Sequence, residues 1–147
     1  MFVESVAWGL LLFAVHYVIN GFSANILAAV ADQSQTADEL ARLVAFCGAG
    51  LYEEFLFRLI MLSAAMAVIR LAGGSPRATA IVAVVVTSLV FSAAHYKPFM
   101  SFGEPLLLYS FVFRTLAGVF FAVLYLRRGF GIAAGTHAFY DVITQIF

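Results

Sequence analysis

Residues 48–74 read GAGLYEEFLFRLIMLSAAMAVIRLAGG, and this stretch decides the fold. From Leu51 to Leu71 it is apolar apart from Glu53, Glu54, Arg58, Ser63 and Arg70. A spanning helix needs about 20 mostly apolar residues at 1.5 Å rise each, and this run supplies them. Closed barrels are the other way to satisfy backbone groups in lipid, but their strands alternate with period two, and no such alternation is present. The stretch is therefore a helix, stopped by Gly73 and Gly74. Working backwards, it starts at Thr36, whose hydroxyl reaches the amide of Glu39 while the Glu39 carboxylate reaches back in a capping box. Asp38, Glu39 and Arg42 place those first two turns at the membrane surface.

The whole chain agrees with its centre. Of 147 residues, 64% are hydrophobic and 11% charged, and the mean hydropathy is +1.02. Soluble domains run about 45–50% apolar and about 25% charged. A soluble globule of this length still needs a polar shell, so lipid must act as the second solvent. The expected fold class is all-α, a polytopic transmembrane helix bundle of about five membrane helices in one domain, residues 1–147. Eight basic and eight acidic residues cancel, so nothing suggests electrostatic capture of nucleic acid. Cys47 has no partner for a disulfide, and no Cys/His cluster suggests a zinc ribbon. Met1, Phe2, Val3 and Glu4 form no basic n-region, so the first apolar run is expected to stay as a helix rather than be cleaved.

That run extends from about Phe2 to Ala31, interrupted by His16, Asn20 and Asn25, with a bend expected at Gly21. Asp32 to Gln35 is the first polar break. Pro76 opens a third helix that runs to about His95. Tyr96 to Glu104 reads as a loop, Pro105 opens a fourth helix ending at Arg127, Arg128 and Gly129, and about Ile132 to Phe147 forms the last. Five spans place Arg70, Arg77, Arg127 and Arg128 on the side of the N-terminus, against Arg42 and Lys97 opposite. The positive-inside rule makes that N-terminal side cytoplasmic.

Ionisable side chains within a span cost at least ~2.5–3.5 kcal/mol each on insertion scales and persist facing a protein interior or cavity. Three clusters fit. Glu54 and Arg58 are four apart on one helix face and able to pair, while Glu53 points about 100° away with no partner on its own helix. Phe91 and His95 end the third helix, where a lone histidine commonly caps the last carbonyls. His137 and Asp141, again four apart, share a face of the last helix, where Asp141 could orient the imidazole. Each cluster alone has a bland reading, as a self-satisfied pair or a helix glue. Together they put a glutamate and two histidines on three different helices, the side chains for activating a water and stabilising an oxyanion.

Other chemistries fare worse. Ser88, Ser92 and Ser101 lie near the histidines, but none sits in a GxSxG context. An aspartyl mechanism needs two intramembrane aspartates, and Asp141 is the only one clearly within a span. Cys47, beside Gly48 and Gly50, reads as a small packing residue. His and carboxylate donors suit zinc, with Glu53, His95 and His137 as its ligands, although HExxH is absent.

Glu53, Glu54 and Arg58 match EExxxR, Phe91 and His95 match FxxxH, and His137 and Asp141 match HxxxN/D. In this order on successive apolar helices, about Leu51 to Asp141, they resemble the CPBP family of intramembrane proteases, which includes the CAAX prenyl endopeptidases and the Abi-type proteins. The resemblance implies an endopeptidase acting on a membrane-associated or C-terminally anchored protein, in which Glu53 and His95 activate the attacking water. His137 and Asp141 are then at the oxyanion, Glu54 and Arg58 hold the catalytic helix, and Phe91 packs beside the site. Both a metal-free glutamate mechanism and a zinc mechanism suit these residues. The glutamate reading is preferred because no dedicated third strong ligand is evident.

The chain departs from the family pattern at Asp141, where many members carry asparagine; a carboxylate donates to an oxyanion only when protonated. It is also close to the family core alone in length, which suggests a bacterial member in a cytoplasmic membrane, for which prenylated CAAX proteins are not the natural substrate. A reading from another class is a non-catalytic immunity or scaffold protein that binds a peptide or secretion partner. A proton-relay transporter is a third, with small size and missing inverted repeats against it. Counted from the arginine-rich side, Glu53 and His95 lie roughly 25–30 Å deep and His137 only about 10 Å, a mismatch the fold has to absorb.

Overall fold

The computed structural model describes residues 1–21, 36–97 and 105–146. It is an all-α bundle of five helices. Helix α1 spans Phe2–Gly21. Helix α2 runs as α-helix over Thr36–Glu54, as π-helix over Phe55–Leu62 and as α-helix again over Ser63–Leu71. Helix α3 spans Pro76–Ala93, α4 Leu108–Arg128 and α5 Phe130–Ile146. The expected extension of the first helix to Ala31, the break at Asp32 to Gln35, the Thr36–Glu39 side-chain box and the loop from Pro98 to Glu104 lie outside the described residues.

Three boundaries differ from the sequence reading. The α-helix of α3 stops at Ala93, and His95 sits in a turn in which its amide donates to Ser92 O and that of Tyr96 to Ala93 O. Helix α4 opens at Leu108 rather than Pro105, because Leu107 is extended at φ −112° and ψ 125°. Helix α5 starts at Phe130, directly after Gly129, whose φ of +85° makes a one-residue turn that a side chain would strain. The start of α3 is as expected, with Pro76 in the first turn; Ser75 caps it, its Oγ accepting from the Ala78 amide at 3.3 Å.

Helices α1, α3 and α4 are long and apolar enough to cross a membrane. Helix α3 shows how lipid has sorted its faces. Ile81, Val82, Val85, Val86, Leu89 and Val90 are exposed, whereas Thr79, Thr87, Ser88 and Ser92 are buried. Small polar residues let membrane helices approach and bond. Here Ser92 Oγ donates to Phe111 O of α4 at 2.8 Å, and Thr87 Oγ1 donates back to Ala83 O of its own helix.

Helix α5 is central, packed on α1, α2 and α4. It runs alongside α1 in the same direction, with Ser5 Oγ donating to Ile132 O at 3.4 Å and His16 bonded to Tyr140. Arg128 at the end of α4 donates to Glu4 at 2.7 Å, so the N-terminal end of α1 and the arginine-bearing end of α4 lie together. Helix α2 crosses α5 closely at Gly50, where an added Cβ would lie 2.9 Å from Asp141 Oδ2 and 3.1 Å from Ala138 N. The Ser63–Leu71 segment packs on α3 rather than α5. The helix ends are therefore staggered, and the π stretch, with more residues per turn, shortens the climb of α2. Whatever depths counting assigned, Glu53 and His137 meet in the bundle, Oε2 lying 3.7 Å from Nε2.

Candidate active site

The deepest layer is an ion pair. Glu54 and Arg58 are essentially inaccessible, with Arg58 Nε 3.2 Å from Glu54 Oε2. Arg58 Nη2 also donates to Gly118 O at 3.2 Å, and its guanidinium stacks over Phe91 at 4.3 Å and Phe121 at 5.6 Å from the ring centroids. A buried charge needs compensation, and here Nε is ion-paired with Glu54, Nη2 is bonded to Gly118 O and the rings of Phe91 and Phe121 cover the guanidinium, while Nη1 is buried without a hydrogen bond. Phe91 covers the face of the guanidinium and also lines the cavity described below.

Glu54 has a second partner that sequence spacing could not reveal. His137 Nδ1 donates to Glu54 Oε1 at 2.8 Å. Sequence spacing suggested Asp141 as the carboxylate that orients His137; the structure puts Glu54 on Nδ1 and Asp141 Oδ1 3.7 Å from Nε2. The His137 ring is stacked on Phe121, centroids 4.4 Å apart and planes 16° apart, so its orientation is held from the edge and from the face.

Glu53 points into the space above this layer. Its Oε2 lies 3.5 Å from His95 Nε2 and 3.7 Å from His137 Nε2, is itself buried, and makes no direct hydrogen bond. At such separations a shared water or substrate proton is the natural mediator. His95 holds its place through Nδ1, which donates to Phe91 O at 2.8 Å. The carbonyl-capping role and the site role are therefore one arrangement: Nδ1 caps the helix end and Nε2 faces Glu53. Glu53, His95, His137 and Asp141 all line one cavity of about 600 Å³.

The alternatives separate from this cavity. Ser88 and Ser92 are buried against α4 and do not line it, and Ser101 lies outside the described residues. Cys47, read as a packing residue, is in fact exposed on the outer face of α2, next to an apolar groove formed with Ala138, Phe139 and Val142. Among the described residues no set of three or more His, Cys, Asp or Glu side chains is arranged to hold a metal ion. The donors approach pairwise, Glu53 to His95 and His137, and His137 to Asp141.

Among the cavity-lining residues that the sequence reading did not place at the site are His16, Arg114 and Tyr140. Arg114 had a signal, since it is a charge inside the apolar run of α4 and falls under the rule that singled out Glu53. Tyr140 is three residues after His137, on the same helix face.

With this geometry in view, residues 37–143 match the family described as Type II CAAX prenyl endopeptidase Rce1-like. The chain belongs to this family. The Rce1-like match covers α2 from its first turn through most of α5, and with it every residue of the three clusters; α1 precedes it. Membership places the chain in a family of membrane endopeptidases, in accord with its apolar helices. No curated protein and no solved structure matches the chain.

Proposed function

We propose that this chain is an intramembrane endopeptidase that hydrolyses a peptide bond of a membrane-associated or C-terminally anchored protein. Glu53 and His95 activate the water, and His137 and Asp141 stand at the oxyanion. The observation that carries the reading is the position of Glu53 Oε2, a buried carboxylate oxygen without a hydrogen bond of its own, facing two imidazole Nε2 atoms across a cavity.

The proton positions favour this division of labour. His95 Nδ1–H is committed to a carbonyl, so neutral Nε2 is an acceptor. A water on the cavity side of His95 Nε2 and Glu53 donates a hydrogen to Glu53, lies within reach of His95 Nε2, and turns a lone pair towards the substrate carbonyl. Glu53 takes the proton as the C–O bond forms. The tetrahedral oxyanion is met by His137, whose Nε2 donates when the ring carries both protons, Nδ1–H remaining on Glu54. Asp141 joins as a donor in its protonated form. Collapse breaks the C–N bond, and Glu53 returns the proton to the leaving amine.

The test is cleavage of a quenched peptide pool by purified protein in detergent. Glu53→Ala and His95→Ala are each expected to lower the rate by roughly 10²–10⁴, the usual worth of a general base, with thermal unfolding unchanged within a few degrees. Cleavage that survives chelator supports the glutamate mechanism. Loss with chelator, together with stoichiometric zinc, transfers Glu53, His95 and His137 to a ligand role. Cleavage retained in the purified Glu53→Ala protein overturns the assignment.

A further inference from the structure

Part of the cavity wall comes from a helix outside the family match. Helix α1 precedes residues 37–143, yet it contributes His16 to the cavity beside Tyr140 of α5. His16 Nδ1 and the Tyr140 hydroxyl are hydrogen-bonded across the two helices. The chemistry proposed above uses neither side chain.

His16 is delivered in register. Ser5, Gly9, Leu12 and His16 follow at spacings of four, three and four, and so form one stripe of α1. Ser5 Oγ donates to Ile132 O, and a Cβ added to Gly9 would lie 2.6 Å from Phe139 Cδ1 and 3.4 Å from Thr136 O. Leu12 is buried in a cluster with Ala117 and Phe121, on which the Tyr140 ring packs. His16 ends the stripe, its ring meeting Phe113 edge-on at 4.8 Å and its Nδ1 meeting Tyr140. Phe121 is also the ring stacked on His137, so Tyr140 and His137 are held against one support. Tyr140 lies three residues beyond His137, roughly 5 Å of helix rise.

A phenol hydroxyl both donates and accepts. If Tyr140 donates to His16, its oxygen keeps a lone pair for a second bond; if His16 donates, the hydroxyl keeps its proton. Either way the group has a bond to offer the cavity. A peptide laid open for cleavage has left its helix, and away from bulk water its N–H and C=O groups need partners from the protein. We propose that the Tyr140 hydroxyl, positioned by His16, binds a backbone amide group of the substrate within about three residues of the scissile bond, the reach of an extended chain at ~3.3 Å per residue. The inference rests on the endopeptidase reading and adds a binding contact to it. Tyr140 touches the substrate, and His16 acts through Tyr140.

The experiment is equilibrium binding to the Glu53→Gln protein, so that cleavage is not needed for a result. The probes are the tightest binder from a pool of capped apolar octapeptides, and its analogues in which each backbone amide in turn is replaced by an ester. An ester removes the N–H and weakens the adjoining carbonyl, so a contact to either registers. One or two esters are expected to bind about tenfold more weakly than the parent. In Glu53→Gln/Tyr140→Phe the parent is expected to lose that tenfold and the same esters to cost nothing more, the two losses failing to add. Tyr140→Phe keeps the ring in its cluster, so unfolding in detergent is expected unchanged. Glu53→Gln/His16→Leu is expected to lose part of the contact, and Glu53→Gln/His16→Asn, whose carboxamide stands in for Nδ1, to restore it. Ester costs that are equal with and without the Tyr140 hydroxyl, no ester cost at any position, or no binding of the parent overturns the contact. Unchanged affinity and ester costs in the His16→Leu protein overturn the positioning role of His16. A wild-type protein that cleaves none of the peptides while the Tyr140-dependent ester cost stands overturns the endopeptidase reading instead.

Discussion

At the scale of single residues, the pairing that matters most is Glu54 with both Arg58 and His137. One carboxylate closes a buried charge and orients an imidazole, so its two jobs should separate under mutation. Arg58→Met leaves Glu54 buried without its cation and is expected to cost about 3–5 kcal/mol, read as unfolding in detergent. Glu54→Gln keeps the shape but leaves the buried Arg58 cation without its carboxylate, and so should cost stability on the same scale. Unlike Arg58→Met, it also replaces the carboxylate at His137 Nδ1 with a neutral amide. Its expected signature is a rate loss of about 10–100-fold, the usual cost of losing such an orienting partner. A Glu54→Gln protein with the wild-type rate would show that Glu54 serves stability alone. The Glu54–Arg58 spacing was legible because both residues lie on one helix, whereas the Glu54–His137 bond joins residues 83 apart in sequence.

At the scale of elements, the π stretch Phe55–Leu62 is the feature that periodicity missed. A continuous apolar run reads as helix whatever its winding, because burial is averaged around all faces in lipid. The π winding begins immediately after Glu54 and sets the rotation of Glu53 relative to the rest of α2. Deleting the exposed Leu59 removes one residue from it and is expected to abolish cleavage while leaving helical circular dichroism unchanged; cleavage at the wild-type rate would show the π stretch to be incidental. The close crossing of α2 and α5 offers a second test. Gly50→Leu pushes into the Ala138 backbone and Asp141, and should separate Glu53 from His137. A loss of at least tenfold in kcat/KM is expected, with Gly48→Leu, where nothing lies within 4 Å, as the control that retains activity.

At the scale of the whole molecule, the Glu4–Arg128 contact brings the N-terminal end of α1 and the arginine-bearing end of α4 together. The expected sidedness follows from the positive-inside rule. In a Cys47→Ser background, cysteines placed at Val3 and at Arg77 should both be labelled by an impermeant thiol reagent only from the cytoplasmic face. Labelling of the two from opposite faces would break the five-span topology, and labelling of both from outside would invert it. The contact itself is exposed and screened by solvent, so Glu4→Gln is expected to leave the unfolding temperature in detergent essentially unchanged.

Composition and local spacing are enough to read the solvent, the helical class and the ionisable side chains that interrupt apolar runs. Apolar length is a property of consecutive residues, and charge within such a run is costly enough to be informative alone. The sequence also placed Glu54 and Arg58 on one face, since spacing of four is local geometry. Only the tertiary structure decided that Glu53 faces both His95 and His137, that Glu54 rather than Asp141 takes His137 Nδ1, and that Arg114, Tyr140 and His16 share the cavity. Those contacts depend on how far each helix slides and turns against the others. The stagger of the helix ends, the winding of α2 and the depth of the Gly50 crossing set these offsets, and none of them is written in the pattern of any single helix.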